Sequence, residues 1–184
     1  VKKIYVRRFW LPARFIVFVE EREPVFLIAP NEEAAPISAI TSDGHYIDRE
    51  FMPIPSKFKT TKILSYGIAS DNYEEWDKKR VDQILRFIQK IETYSKEKVL
   101  YLDLRNVNDI YVNLEDVLIR VGKFDDTLDD RIKWIPTIMP QVKELNRENK
   151  IKYIDLRWKD AQYIKYIKDK PEVKKEEEDY ERQG

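Results

Sequence analysis

The alternation of apolar and polar positions divides the chain into a strand-rich front, a helix, three further strands, a second helical stretch and a closing hairpin. Residues 2–8 alternate, with Ile4 and Val6 on one face and Tyr5 and Arg7 on the other, and Trp10-Leu11-Pro12 ends the run. Residues 13–20 predict a second strand, Glu21-Arg22-Glu23 a charged turn, and residues 25–29 a third strand led by Pro24. These strands are apolar on both faces: Phe15, Val17 and Val19 lie on one side, Ile16 and Phe18 on the other. Strands of that kind need cover on both faces. Short strands follow at residues 38–40 and 46–47, joined by the turn residues Ser42-Asp43-Gly44. Residues 63–69 form a short apolar run.

The first helix is expected to open at Asp71, with Glu74 placed for a capping box. Val81, Ile84, Leu85, Ile88 and Ile91 then form one stripe at helical spacing. Strands are expected at residues 99–104, 110–114 and 117–121, the last ending at Gly122. A second helix should begin near Asp125-Asp126-Thr127, its period kept by Leu128, Ile132, Ile135, Met139, Val142 and Leu145. Pro136 and Pro140 interrupt it, which predicts a kink or two shorter helices.

Residues 151–167 read as two strands joined by a turn at Lys159–Asp160, and they repeat an earlier stretch. YLDLRNVNDIYV at residues 101–112 matches YIDLRWKDAQYI at residues 153–164. The same supersecondary unit is thus used twice, as two hairpins of one sheet, with a helix-length segment between the copies. After Ile167 the chain is almost wholly charged and carries Pro171, a composition that cannot order another strand. The strand at residues 161–167 is therefore the last, and its outer edge leaves unpaired main-chain groups beside Tyr163, Ile164 and Tyr166.

A hydrophobic fraction of 42% supports a core, and 184 residues suffice for one ordinary domain or two small ones. Basic and acidic residues balance at 34 each, which argues against a dedicated nucleic-acid surface. There is no cysteine, so disulfides and thiol chemistry are excluded. No window approaches eighteen consecutive apolar residues. The chain opens on Val1 rather than Met, and the expectation is a fragment with further residues upstream, a membrane anchor among them.

The ordered blocks resemble the bacterial cell-division family FtsQ/DivIB. Val6-Arg7-Arg8-Phe9-Trp10-Leu11-Pro12 followed by FIVFVEEREPV resembles that family's "V-R-R-x-W-P … I-x-V-x-E-x-x-P-V" stretch. Asp43-Gly44 beside a strand bearing Ile47 resembles its short "D-x-x-G" segment. Gly122-Lys123, then Lys152-Tyr153-Ile154-Asp155-Leu156-Arg157-Trp158, resembles its closing "G … Y-I/V-D-L-R-Y" signature. The chain departs from the pattern in placing Leu11 between Trp10 and Pro12 and Trp158 where Tyr is common. The resemblance implies an α+β fold: a bent antiparallel sheet with two main helices packed on it, preceded by the last strands of a partial POTRA domain. Residues 1–29 would be that POTRA remnant, 30–168 the β domain and 169–184 a charged tail.

The resemblance also implies a non-enzymatic scaffold for septum formation with no cofactor, in a single-pass protein of the inner membrane whose present region lies outside the cytoplasm. Its implied partners are FtsB (DivIC)-like and FtsL-like division proteins, met by strand addition at the last strand. Arg157, Trp158, Asp160, Ala161, Tyr163, Ile164 and Tyr166 would form the contact. The competing reading of the same blocks is a POTRA-type component of envelope protein export or outer-membrane assembly.

Two other chemistries are weighed and set aside. Glu20, Glu21 and Glu23, and Asp125, Asp126, Asp129 and Asp130, supply enough carboxylates for a hydrolase or a metal site. They fall instead at a turn and at a helix start, where acids complement the helix dipole. His45 is the only histidine, so a zinc site would be carboxylate-rich and atypical. Asp103, Arg105, Asp155 and Arg157 read first as local or cross-strand pairs. Trp158, Tyr163 and Tyr166 cannot all face one side of a hairpin, so at least one should meet solvent or a partner.

Overall fold

A computed structural model describes residues 1–10, 12–52, 59–66, 76–146, 151–158 and 161–167. Two strands, β1 (Lys3–Trp10) and β2 (Ala13–Glu20), pair antiparallel with each other and with no other strand. All remaining strands form one sheet: β3 (Pro24–Ala29), β4 (Ser38–Thr41), β5 (Tyr46–Asp48), β6 (Thr61–Leu64), β7 (Tyr101–Asp103), β8 (Ile110–Asn113), β9 (Leu118–Gly122), β10 (Ile151–Asp155) and β11 (Tyr163–Tyr166). Its order is β11-β10-β9-β8-β7-β6-β3-β4-β5, with three helices against it: α1 (Lys78–Ser95), α2 (Leu128–Ile132) and α3 (Ile135–Leu145).

The fold is α+β, and the sheet is mixed rather than antiparallel throughout. The pairings β3–β6, β6–β7 and β9–β10 are parallel. The cause is the connections. A two-residue turn can return a chain only antiparallel, whereas a helix carries it back to the starting side of the sheet for a parallel pairing. Helix α1 joins β6 to β7, and α2 and α3 join β9 to β10.

The sequence repeat is therefore a β-α-β-β unit used twice. Its copies are β6-α1-β7-β8 and β9-α2-α3-β10-β11, laid side by side in the sheet. Register agrees residue for residue: Asp103 faces Tyr111 as Asp155 faces Tyr163, and Leu102 faces Val112 as Ile154 faces Ile164. The strand before each helix meets the copy in the same way, through Leu104 N–H to Leu64 C=O and Leu156 N–H to Arg120 C=O, both 2.9 Å.

Helix α1 starts later than expected. Asp77 caps it, its carboxylate accepting from Arg80 N–H at 2.7 Å, and residues 76–77 are not helical. The expected opening at Asp71 with Glu74 lies outside the described residues. The helix stops at Lys96, which takes the left-handed conformation (φ 62°). Of its expected stripe Val81, Ile84, Ile88 and Ile91 are buried and Leu85 half-buried; with Phe87 they join one core cluster that includes Ile28, Ile63, Leu102 and Val112 from the sheet. The second helical stretch is two short helices. Pro136 sits in the first turn of α3, where its missing N–H has no helical partner to lose.

β3 pairs with β4 and β6 and so belongs to the large sheet, which leaves only residues 3–20 in the separate hairpin. The turn Ser42-Asp43-Gly44 packs under the start of α1. Gly44 has φ 84°, and a Cβ there would sit 2.1 Å from the Trp76 carbonyl oxygen. Thr41 Oγ1 donates to Asp43 at 2.5 Å, and Arg22 pairs with the same carboxylate, fixing the turn to the end of the β1–β2 hairpin.

Candidate partner-binding edge

Entry to β10 is fixed by Asn146. Its amide nitrogen donates to Asp116 C=O at 2.8 Å, and its amide oxygen accepts from Ile151 N–H at 2.9 Å. Ile151, Ile154 and Leu156 then go into the core. Asp155 points to the opposite face, yet is only 6% exposed. Its carboxylate accepts from Arg157 main-chain N–H at 3.1 Å, from Nε at 2.9 Å and from the terminal nitrogen at 2.8 Å. Arg120 approaches to 3.5 Å while forking onto Asp109 at 2.7 and 2.6 Å. Burial pushes the Asp155 carboxyl up, but the Arg157 hydrogen bonds and the Arg120 charge outweigh it and hold its pKa below the usual carboxylate value. Gly122 makes room for this fork: its φ is 77°, and a Cβ would stand 3.1 Å from Arg157 Cγ.

The first copy repeats the fork. Asp103 accepts from Arg105 main-chain N–H at 3.0 Å, from Nε at 2.9 Å and from the terminal nitrogen at 2.6 Å. Each fork clamps the chain as it leaves the inner strand of its hairpin. These pairs are local, two residues apart, and the cross-strand link is the one through Arg120. Arg120 also lies over the rings of Tyr111 and Tyr153, 5.5 and 6.0 Å from their centroids, and those rings meet edge-on at 6.0 Å. The face away from the helices is therefore a ladder of tyrosines and satisfied ion pairs.

Among the described residues β11 ends the sheet order, with no described strand on its outer side. The direction of each main-chain group follows from alternation. Leu156 N–H points to β9, so Asp155 points the other way, into β11, and its partner Tyr163 points back into β10. Ile164 N–H and C=O then face outward, as does Tyr166 N–H. On the side-chain axis, Tyr163 and Lys165 share the open face, while Ile164 and Tyr166 share the helix side, with Ile164 packed against the core.

The described members of the predicted contact set lie on β11 and in the segments flanking its start. Trp158 is 58% exposed and Tyr163 57%, and Tyr166 is about half exposed, so all three aromatics meet solvent. Ala161 is half-buried. Arg157 leaves about a third of its side chain in solvent while engaged in the fork. Asp160 lies outside the described residues. Sequence reasoning missed Arg120 and Asp109, eleven residues apart, although an arginine at the centre of an apolar strand was a signal that something opposite must be acidic.

Of the acids weighed for other chemistry, Asp125, Asp129 and Asp130 are engaged at a helix start. A cleft of about 650 Å³ beside α1 is lined by Asp125, Asp126 and Asp129. Asp125 accepts from Thr127 and from Arg131, Asp129 pairs with Lys90 at 2.6 Å, and Asp130 pairs with Lys133 at 2.9 Å. The Thr127 hydroxyl and the Arg131 guanidinium hold the Asp125 carboxyl below its usual value, the opposite of what a proton-donating acid needs. Among the described residues no three His, Asp or Glu side chains converge as metal ligands. No described helix is long and apolar enough to cross a membrane. No protein-family model and no curated protein matches the chain.

Proposed function

We propose that this chain is a non-enzymatic scaffold of the bacterial division complex, similar to FtsQ/DivIB, that binds FtsB (DivIC)-like and FtsL-like partners at the outer edge of β11. The protein would be held in the inner membrane by a single span, with this region outside the cytoplasm, and the β1–β2 hairpin would be the end of its POTRA domain. One observation carries the reading: β11 is the counterpart of β8, and β8 has an antiparallel neighbour, β9, on the side where β11 has none among the described residues. The repeat thus supplies a template for the docked strand. It runs antiparallel to β11 and exchanges main-chain hydrogen bonds with Ile164, as Ile119 does with Val112.

The test separates the two edges of β11. Ile164→Pro removes the outward donor and should weaken binding of an FtsB-like extracytoplasmic segment about tenfold or more, from the loss of one hydrogen bond of ~1.5 kcal/mol. Ile164→Ala keeps the donor and controls for lost side-chain packing. Tyr163→Pro removes an inward ladder bond and should lower the melting temperature instead. If Ile164→Pro and Tyr163→Pro both stay folded and bind like the parent, β11 is not the docking edge.

A further inference from the structure

The tip of the β1–β2 hairpin concentrates exposed aromatic rings and arginines in a short stretch of chain. Around the turn stand Phe9, Trp10 and Phe15, with Trp10 73% and Phe15 65% exposed. Interleaved with them are Arg7, Arg8 and Arg14. The Arg8 guanidinium lies 4.0 Å from the Trp10 ring centroid and 5.6 Å from that of Phe15, and Arg14 lies 4.9 Å from Phe9. Five arginines elsewhere are neutralised by carboxylates: Arg22 by Asp43, Arg105 by Asp103, Arg120 by Asp109, Arg131 by Asp125, Arg157 by Asp155. Among the described residues no carboxylate pairs with Arg7, Arg8 or Arg14. Residues 1–20 carry five cationic side chains against the single carboxylate of Glu20, in a chain whose charges cancel overall.

The arrangement of these groups selects the kind of partner. In the paired register Arg8, Trp10 and Phe15 occupy one face of the ribbon, while Arg7, Phe9 and Arg14 occupy the other. A protein surface docking on a two-stranded ribbon reaches one face and leaves the second set of arginines and rings in water. A headgroup layer closes around the tip from all sides. It offers phosphate to each guanidinium and an interfacial site to each ring, the position amphipathic aromatics prefer. The eight paired positions give the ribbon a reach of about 27 Å at ~3.4 Å each, enough to carry the tip away from the large sheet.

We propose that the tip of the β1–β2 hairpin inserts into the headgroup layer of an anionic lipid bilayer. The proposal stands on the hairpin alone and does not depend on a role in division. It leaves Ile4, Val6, Val17 and Val19, nearer the base, free to receive protein cover.

The test is co-sedimentation of the full chain with vesicles of phosphatidylcholine alone, or of equal parts phosphatidylcholine and phosphatidylglycerol. Binding is expected with the anionic vesicles and not the neutral ones, and it should fade between about 0.15 M and about 1 M salt as the Debye length falls from ~8 to ~3 Å. The double substitution Arg8→Gln, Arg14→Gln should lower partitioning about 30-fold, from about fivefold for each charge near an anionic leaflet. Lys165→Gln, on the far sheet, should leave it unchanged. Trp10→Phe should abolish the vesicle-induced blue shift of tryptophan emission, whereas Trp158→Phe should keep it. The proposal is overturned by absence of binding, by equal binding to neutral vesicles, or by binding that the double arginine variant retains. A lipid-free dimer that dissociates on Trp10→Ala would also overturn it, since the tip would then be covered by a second copy.

Discussion

Removing the Asp155 carboxylate tests whether the fork at the end of β10 is structural. The side chain is almost fully buried and accepts from three nitrogens of Arg157, its main-chain N–H and two of the guanidinium. Hydrogen bonds to charged groups contribute a net ~1.5–3 kcal/mol, and desolvation of the buried carboxylate offsets part of that. Arg157 keeps about a third of its side chain in water and Arg120 keeps its fork to Asp109, so neither guanidinium is stranded. The net expectation for Asp155→Ala is therefore about 2 kcal/mol, and for Asp155→Asn, which preserves shape and one acceptor, about 1 kcal/mol. The repeat supplies an internal control. Asp103→Ala removes the same three bonds without an Arg120-like neighbour, and Asp103 is somewhat more exposed, so it should cost about 1 kcal/mol.

Urea unfolding with linear extrapolation, accepted only if two probes agree, measures all three variants. The pH dependence has a fixed sign. The folded pKa of Asp155 is depressed, so its stabilisation is complete above the ordinary carboxylate value and is lost as pH falls through the depressed one. Parent and Asp155→Ala stabilities should accordingly converge only at strongly acidic pH. A loss under about 0.5 kcal/mol for Asp155→Ala, within the range of ordinary surface substitutions, would refute the reasoning.

Two further outcomes follow from geometry. Gly44→Ala places a Cβ against the Trp76 carbonyl in a left-handed turn, so it should lose about 3 kcal/mol in the same melts, from ~1–2 kcal/mol of conformational strain plus displacement of the α1 cap. Hydrogen exchange of the lipid-free chain should show β1 and β2 amides exchanging well before those of β7, β8 and β9, because an isolated two-stranded ribbon is marginal in water. Equal protection would mean that the hairpin is already covered.

Periodicity located most elements closely. The second strand was bounded to the residue, the proline-broken helix became α2 and α3, and the YxDLR repeat proved to mark equivalent hairpins in one sheet. Neighbours were harder. Alternation tells which side chains share a face, but not which strand lies alongside, and the partners that draw β3 into the large sheet are at residues 38–41 and 61–64. The cap of α1 was not legible, because Asp77 caps the helix with an arginine, rather than a glutamate or glutamine, three residues on. At the edge, the aromatics and Arg157 were legible from the repeat and the charged tail. Which β11 amides point outward was not, because that depends on the parity of the β9–β10 contact.

The two β-α-β-β units differ in one respect that bears on local opening. The first gains interface energy on its outer side from the second, while the second has no described strand beyond it, like a repeat array without a terminal cap. The β10–β11 end should therefore fray before the rest of the sheet, its opening free energy set by one flank instead of two. A strand arriving there acts as the cap. At a hundred times its dissociation constant it would deepen that opening free energy by ~2.7 kcal/mol, about a hundredfold in the population of frayed hairpin open to a protease.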